Sequence, residues 1–138
     1  MDDFRENSGY VEVEHTADWA LRVWAPDFEK LLVQAAIGMN ALSGGLTRER
    51  SVQRSIQLKF TDPEELLVSF LSEILYFNVQ ENLAFPEIKI TIRDHNLTAV
   101  LNGGVVHGWV KEIKAVTYHH LAIQHTASGL ETTIVFDV

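Results

Sequence analysis

The chain has 138 residues, 46% of them apolar, and a net charge of −8. That length and apolar content suit one domain with a core of its own, and the charge opposes long-range attraction to phosphate backbones while either suiting a basic protein partner or simply keeping the protein soluble. The absence of cysteine excludes disulfides and thiolate metal sites. No stretch approaches the ~20 apolar residues of a membrane-spanning helix, so a soluble, cytoplasmic protein is expected.

Residues 1–9 include Asp2, Asp3, Arg5, Glu6 and Asn7. They offer little to bury and lack the apolar run of a signal peptide, so a flexible N-terminal leader is expected there, with a single domain over residues 10–138. Strands are predicted over 10–15 and 19–24, where Val11 and Val13, then Leu21 and Val23, alternate on either side of Thr16-Ala17-Asp18. Asp27 then caps a helix in which Phe28, Leu31, Leu32, Ala35, Ala36 and Met39 recur at helical spacing, ended by Gly44-Gly45. Val52, Ile56, Leu58 and Phe60 suggest a third strand. Asp62, Pro63 and Glu65 form the clearest helix start in the chain, and Leu67, Phe70, Leu71, Ile74 and Leu75 make its apolar stripe.

Beyond Glu81-Asn82, Ile88, Ile90 and Ile92 and then residues 97–101 read as strands, with Asn102-Gly103 as a hairpin turn and Val105 and Val106 resuming the sheet. Residues 112–124 alternate over a long run, and residues 132–138 form a closing strand after Ser128-Gly129. Two amphipathic helices must bury their stripes on a shared surface, and consecutive strands favour antiparallel pairing. The expected fold is α+β: a two-layer sandwich of two helices on a largely antiparallel sheet.

The common nucleotide, hydrolase and metalloprotease motifs are absent, and no catalytic residue is expected. Gly103, Gly104 and Gly108 are read as tight turns between strands. His119 and His120, placed in a strand, would point to opposite faces and so would not readily chelate one ion. His95, His107 and His125 are read as surface residues in or near turns. Asp18 lies in a strand connection, where it can serve simply as a turn residue, and Asp137 precedes Val138 at an end that can simply fray. If the two places meet in the fold, their oxygens suit a hard cation such as calcium, magnesium or manganese.

Three segments, His15-Thr16-Ala17-Asp18, Glu112-Ile113-Lys114-Ala115-Val116-Thr117-Tyr118-His119 and Phe136-Asp137-Val138, resemble the signatures of the archease family. The helical segments Ala35-Ala36-Ile37-Gly38-Met39 and Leu71-Ser72-Glu73-Ile74-Leu75-Tyr76 are similar to that family as well, so the likeness runs from about Val11 to the C-terminus. The resemblance implies an accessory protein for an RtcB-type RNA ligase, which joins RNA 3′-phosphate or 2′,3′-cyclic phosphate ends to 5′-hydroxyls in tRNA splicing and RNA repair. It implies help with GTP-dependent guanylylation and repeated turnover, with GTP and RNA handled by the ligase. It also implies one divalent cation held by Asp18, Asp137 and the terminal Val138, with His15, Lys114 and His119 supporting the site or touching the partner. Trp19-Ala20-Leu21 departs from the aliphatic-Gly-Ile usual in the family, and Val138 stands where Ile is frequent. Two other readings of the residues remain open: an independent metal-dependent phosphoesterase, and a general chaperone or protein-interaction module.

Overall fold

Both helices begin where the sequence supplies their caps. In this computed structural model, which describes residues 7–13 and 19–138, α1 spans Phe28–Ser43 and α2 spans Pro63–Glu81. Asp27 accepts the Lys30 N–H at 2.9 Å, and Asp62 accepts those of Glu64 at 2.8 Å and Glu65 at 3.3 Å. Pro63 sits in the first turn, where its missing N–H costs nothing. Each helix ends on a left-handed residue, Gly44 at φ 73° and Asn82 at φ 60°, the conformation that lets the cap N–H turn back to the last carbonyls.

The strands divide between two antiparallel sheets. One contains β1 (Gly9–Val13), β2 (Trp19–Ala25), β6 (Ala115–Val116), β7 (Gln124–Thr126) and β8 (Gly129–Asp137) in the order β1-β2-β8-β6, with β7 also paired to β8. The other holds β3 (Val52–Lys59), β4 (Leu83–Arg93) and β5 (Asn96–Val105) in the order β3-β5-β4. α1 packs on β1, β2 and β8 of the first sheet and on β4 of the second, while α2 packs on β3, β4 and β6. The core is therefore shared. Leu31, Leu32, Met39, Leu67, Phe70 and Leu71 meet Leu21, Val23, Leu97, Leu101, Ile134 and Phe136 in one buried cluster. The α+β class with two helices on antiparallel strands is as expected; the division into two sheets is additional. The first strand opens at Gly9, taking in the last residue of the expected leader, while the expected continuation of that strand to His15 lies outside the described residues.

The structure corrects the expected turn between the strands after α2. Asn102-Gly103 lies within β5, and the hairpin between β4 and β5 turns instead at Asp94-His95, with φ 50° and 61°. Two consecutive left-handed residues are what a two-residue hairpin loop of matching twist requires. Gly103 serves close approach, because the pairing passes from Ala84↔Gly104 to Glu87↔Asn102 and leaves Phe85 and Pro86 opposite Gly103 alone. A Cβ at Gly103 would overlap the Ala84 carbonyl. Gly104 likewise sits in β5 against Glu49, and a Cβ at Gly108, in the irregular stretch after β5, would meet nothing. Gly103→Ala is expected to cost about 1–3 kcal/mol of stability by overpacking; an unchanged urea midpoint would contradict the bulge.

Residues 112–124 do not form one long strand. Only Ala115–Val116 pairs there, followed by a turn in which the Leu121 N–H bonds to the Tyr118 carbonyl at 3.0 Å and His120 has φ 53°. The pattern here reflects which side chains face the core, since Ile113 is buried between exposed Glu112 and Lys114, and Val116 between half-buried Ala115 and Thr117. At the C-terminal end of α2, Glu81 clasps Arg54 of β3 through two hydrogen bonds of 3.2 and 2.6 Å. That contact holds the Glu81 carboxyl below, and the Arg54 guanidinium above, their ordinary values.

Candidate functional site

The candidate site is built on the centre of the five-stranded sheet. Trp19, at the start of β2, pairs with Phe136 near the end of β8, and across the other edge of β8 Ala115 pairs with Asp137 and Val116 with Phe136. Phe136 is fully buried, so strand alternation turns the Asp137 side chain outward, where it is exposed. Val138 is half-buried and packs against the core. The Lys114 N–H donates to the Asp137 carbonyl at 2.7 Å, and the Thr117 N–H and hydroxyl both donate to the Val135 carbonyl, at 3.0 and 2.9 Å. These bonds pin the signature segment of β6 alongside the end of β8. Lys114 and Asp137 are thus neighbours, with both side chains exposed.

His119 and His120 occupy the middle of the Tyr118–Leu121 turn, not a strand. The His119 N–H donates to the Thr117 hydroxyl at 3.2 Å, and the two imidazole centroids are 4.1 Å apart, so the expectation of opposite faces does not hold. His95 packs its ring against Phe60 with centroids 5.6 Å apart, which makes it a structural turn residue, while His107 and His125 are exposed. Asp18 and His15 lie outside the described residues. Among the described residues, no three His, Cys, Asp or Glu side chains gather into a metal site. Of the residues expected to hold a cation, Asp137 and Val138 are described, and their oxygens are hard atoms of the kind calcium, magnesium and manganese take.

Sequence reasoning missed a cation and a pocket beside this place. The Lys111 ammonium lies 4.3 Å from the centroid of the Trp19 ring, a favourable cation–π position at the first residue of β2. Its main-chain N–H and that of Val110 both donate to the Ser43 carbonyl, at 3.1 and 2.9 Å, while the Val106 N–H donates to the Asn82 carbonyl at 2.8 Å. Residues 106–111 therefore close the C-terminal ends of both helices. Trp109 lies over Gly45 and donates its indole N–H to Asn82 at 2.8 Å. A pocket of about 390 Å³ opens there, with Ser43, Asn78, Asn82, Trp109 and Lys111 in its wall. The one legible signal was Gly44-Gly45, read as a helix stop; the pair is also the seat on which Val110 and Trp109 rest.

Residues 10–138 match the model of the Archease protein family (MTH1598/TM1083). An archease of Methanosarcina barkeri is 33% identical over 139 residues, covering 94% of this chain and 95% of that protein. One from Pyrococcus furiosus is 30% identical over 125 residues, covering 84% and 88%. Among solved structures, the crystal structure of a Thermotoga maritima archease, described as a possible chaperone, superposes with a TM-score of 0.71 at 21% identity and 100% coverage of both chains. The solution structure of protein 1598 of Methanobacterium thermoautotrophicum also gives 0.71, at 22% identity, covering 94% of this chain and 99% of that one. The structural likenesses establish the shared fold, and no described helix is long and apolar enough to cross a membrane. With the family match spanning nearly the whole chain, the chain belongs to the archease family.

Proposed function

We propose that the protein is a cytoplasmic accessory activator of an RtcB-type RNA ligase in tRNA splicing and RNA repair, promoting GTP-dependent guanylylation and multiple turnover, and not an enzyme itself. The observation that carries the reading is a juxtaposition of family signatures: Trp19, which follows Asp18, pairs with Phe136, which precedes Asp137. Asp18, Asp137 and a main-chain oxygen of Val138 are the residues that would hold one divalent cation, whether calcium, magnesium or manganese. Once bound, the ion would supply positive charge beside the phosphate oxygens of nucleotide held by the ligase.

Contacts of this chain's own described residues support the reading. The Lys114 N–H fixes the main chain of Asp137, and Lys111 and Trp19 brace the start of β2. His15 and His119 belong to the same signatures and are proposed to support the site or meet the partner. The ligase consumes GTP and performs the covalent chemistry. The net charge of −8 suits a basic ligase surface, with an association rate that falls as salt rises.

The test is GTP-dependent sealing by the cognate ligase with RNA in excess, with and without this protein. More rounds of joining per ligase are expected with it, and equal yields would contradict the proposal. A second reading, a general chaperone, draws on the description of the Thermotoga relative. It requires protection of unrelated aggregating proteins, which a dedicated activator does not give. Phosphoester hydrolysis by the isolated protein with magnesium or manganese would point instead to an independent phosphoesterase.

A further inference from the structure

The charge of −8 is unevenly spread. β3, β4 and β5 together carry Arg54, Lys59, Lys89 and Arg93 against a single carboxylate, Glu87, in a chain with 19 acids and 11 bases. Strand register sorts these residues by face. Ile56, Ala99 and Ile90 share one cross-strand row on the inner face, and Arg54 turns inward to Glu81.

The outer face presents four rows across the three strands: Lys59, Asn96 and Arg93; Gln57, Thr98 and Thr91; Ser55, Val100 and Lys89; and Gln53, Asn102 and Glu87. Nine of these twelve residues are exposed, and Val100, Asn102 and Glu87 are half-buried. Arg50 matches Glu87 at 3.5 Å. Among the described residues no carboxylate pairs with Lys59, Lys89 or Arg93; Asp94, next to Arg93, and Glu65 line a shallow depression with Lys59, and Glu29 of α1 accepts the Ile92 N–H at 3.2 Å on the edge of β4. Lys89 and Arg93 stand about 13 Å apart along β4, and Lys59 and Arg93 about 10 Å apart across the sheet.

What fits such a face follows from what it lacks. A protein interface is anchored by aromatic or aliphatic side chains at its centre, and here the only apolar side chain is Val100. Cations set among hydroxyls and amides instead match the oxygens of phosphate and ribose, and without an aromatic there is no platform for base stacking. We infer that the outer face of the three-stranded sheet is a docking surface for the backbone of RNA, without sequence preference. The choice of RNA rests on the ligase reading above. The chain's total charge opposes approach from a distance, but at 0.1 M salt the Debye length is about 10 Å. Distant carboxylates are then screened, and the local field governs RNA that the ligase already holds nearby.

The test uses the full chain without ligase and follows the fluorescence anisotropy of a labelled oligouridylate across a salt series. The wild type is expected to bind. Lys59→Gln/Lys89→Gln/Arg93→Gln should weaken binding at low salt at least about tenfold and lower the salt slope by about 2. Arg22→Gln, which removes an exposed cation from β2 of the other sheet, should leave affinity within about twofold. An oligodeoxythymidylate of equal length should bind more weakly, since the hydroxyl and amide rows also meet the ribose 2′-hydroxyl.

The inference is overturned if the wild type does not bind, if both variants lose affinity equally, or if the DNA binds as tightly as the RNA. Displacement of the RNA by polyglutamate at equal charge concentration would assign the face to an acidic protein and overturn it as well. Because the ligase is absent, the two proposals fail separately. Lost RNA binding with ligase activation intact removes only this surface, and lost activation with RNA binding intact removes only the ligase reading.

Discussion

Leu71→Ala and Ile74→Ala are each expected to lower the unfolding free energy by about 2–5 kcal/mol. Leu71 has no exposed surface and Ile74 only 4%, and both lie on the α2 stripe that packs between β3 and β4 of one sheet and β6 of the other. Truncation therefore leaves a cavity bounded by elements from both sheets, which no single element can move to fill without disturbing the rest. Ser72→Ala, on the exposed face of the same helix, should change stability by no more than about 0.5 kcal/mol. Urea melts of the three variants provide the measurement. Losses near zero at both Leu71 and Ile74 would mean that this face of α2 does not support the core.

The second large effect is on activity. Asp18→Asn and Asp137→Asn should each weaken divalent-metal binding and remove most of the ligase stimulation, while leaving the fold nearly unchanged. At Asp137 the reason is visible: the main-chain carbonyl is held by Lys114, but the side chain is exposed and does not support the core. An amide of the same shape keeps the strand pairing and removes only the charge and one hard-oxygen donor. The double variant should lose little more than either single one, because ligands of one ion act as a unit. Calorimetric titration with calcium, magnesium and manganese, run beside the sealing assay, measures both effects. Normal stimulation by either folded single variant would detach function from these carboxylates and turn attention to His15, Lys114 and His119.

The legible parts of the fold were those whose cause is local. Asp27 and Asp62 cap helices because their side chains reach N–H groups two or three residues on, and the stripes through Met39 and Ile74 follow from helical periodicity. The misread parts depend on distant chain. Asn102-Gly103 has turn chemistry, yet Gly103 answers to Ala84 on the neighbouring strand, while the real turn falls on Asp94-His95. The alternation across residues 112–124 records burial under the helices and not continuous pairing, since only Ala115–Val116 joins β8 in its first half. The assignment of strands to two sheets also had no local signature.

The candidate site divides in the same way. Each signature could be read by itself, but the pairing of Trp19 with Phe136 and the bond from Lys114 to Asp137 are products of sheet topology. Lys111 carried no signal at all, because its partner Trp19 lies at the far end of the chain.

The central claim is that this protein acts on the ligase's guanylylation step, and the covalent ligase–GMP adduct formed from labelled GTP measures that step before any RNA is joined. The account predicts faster adduct formation when the wild-type protein is added, with the gain largely absent for Asp137→Asn. Adduct forming at the same rate with and without the protein would contradict it.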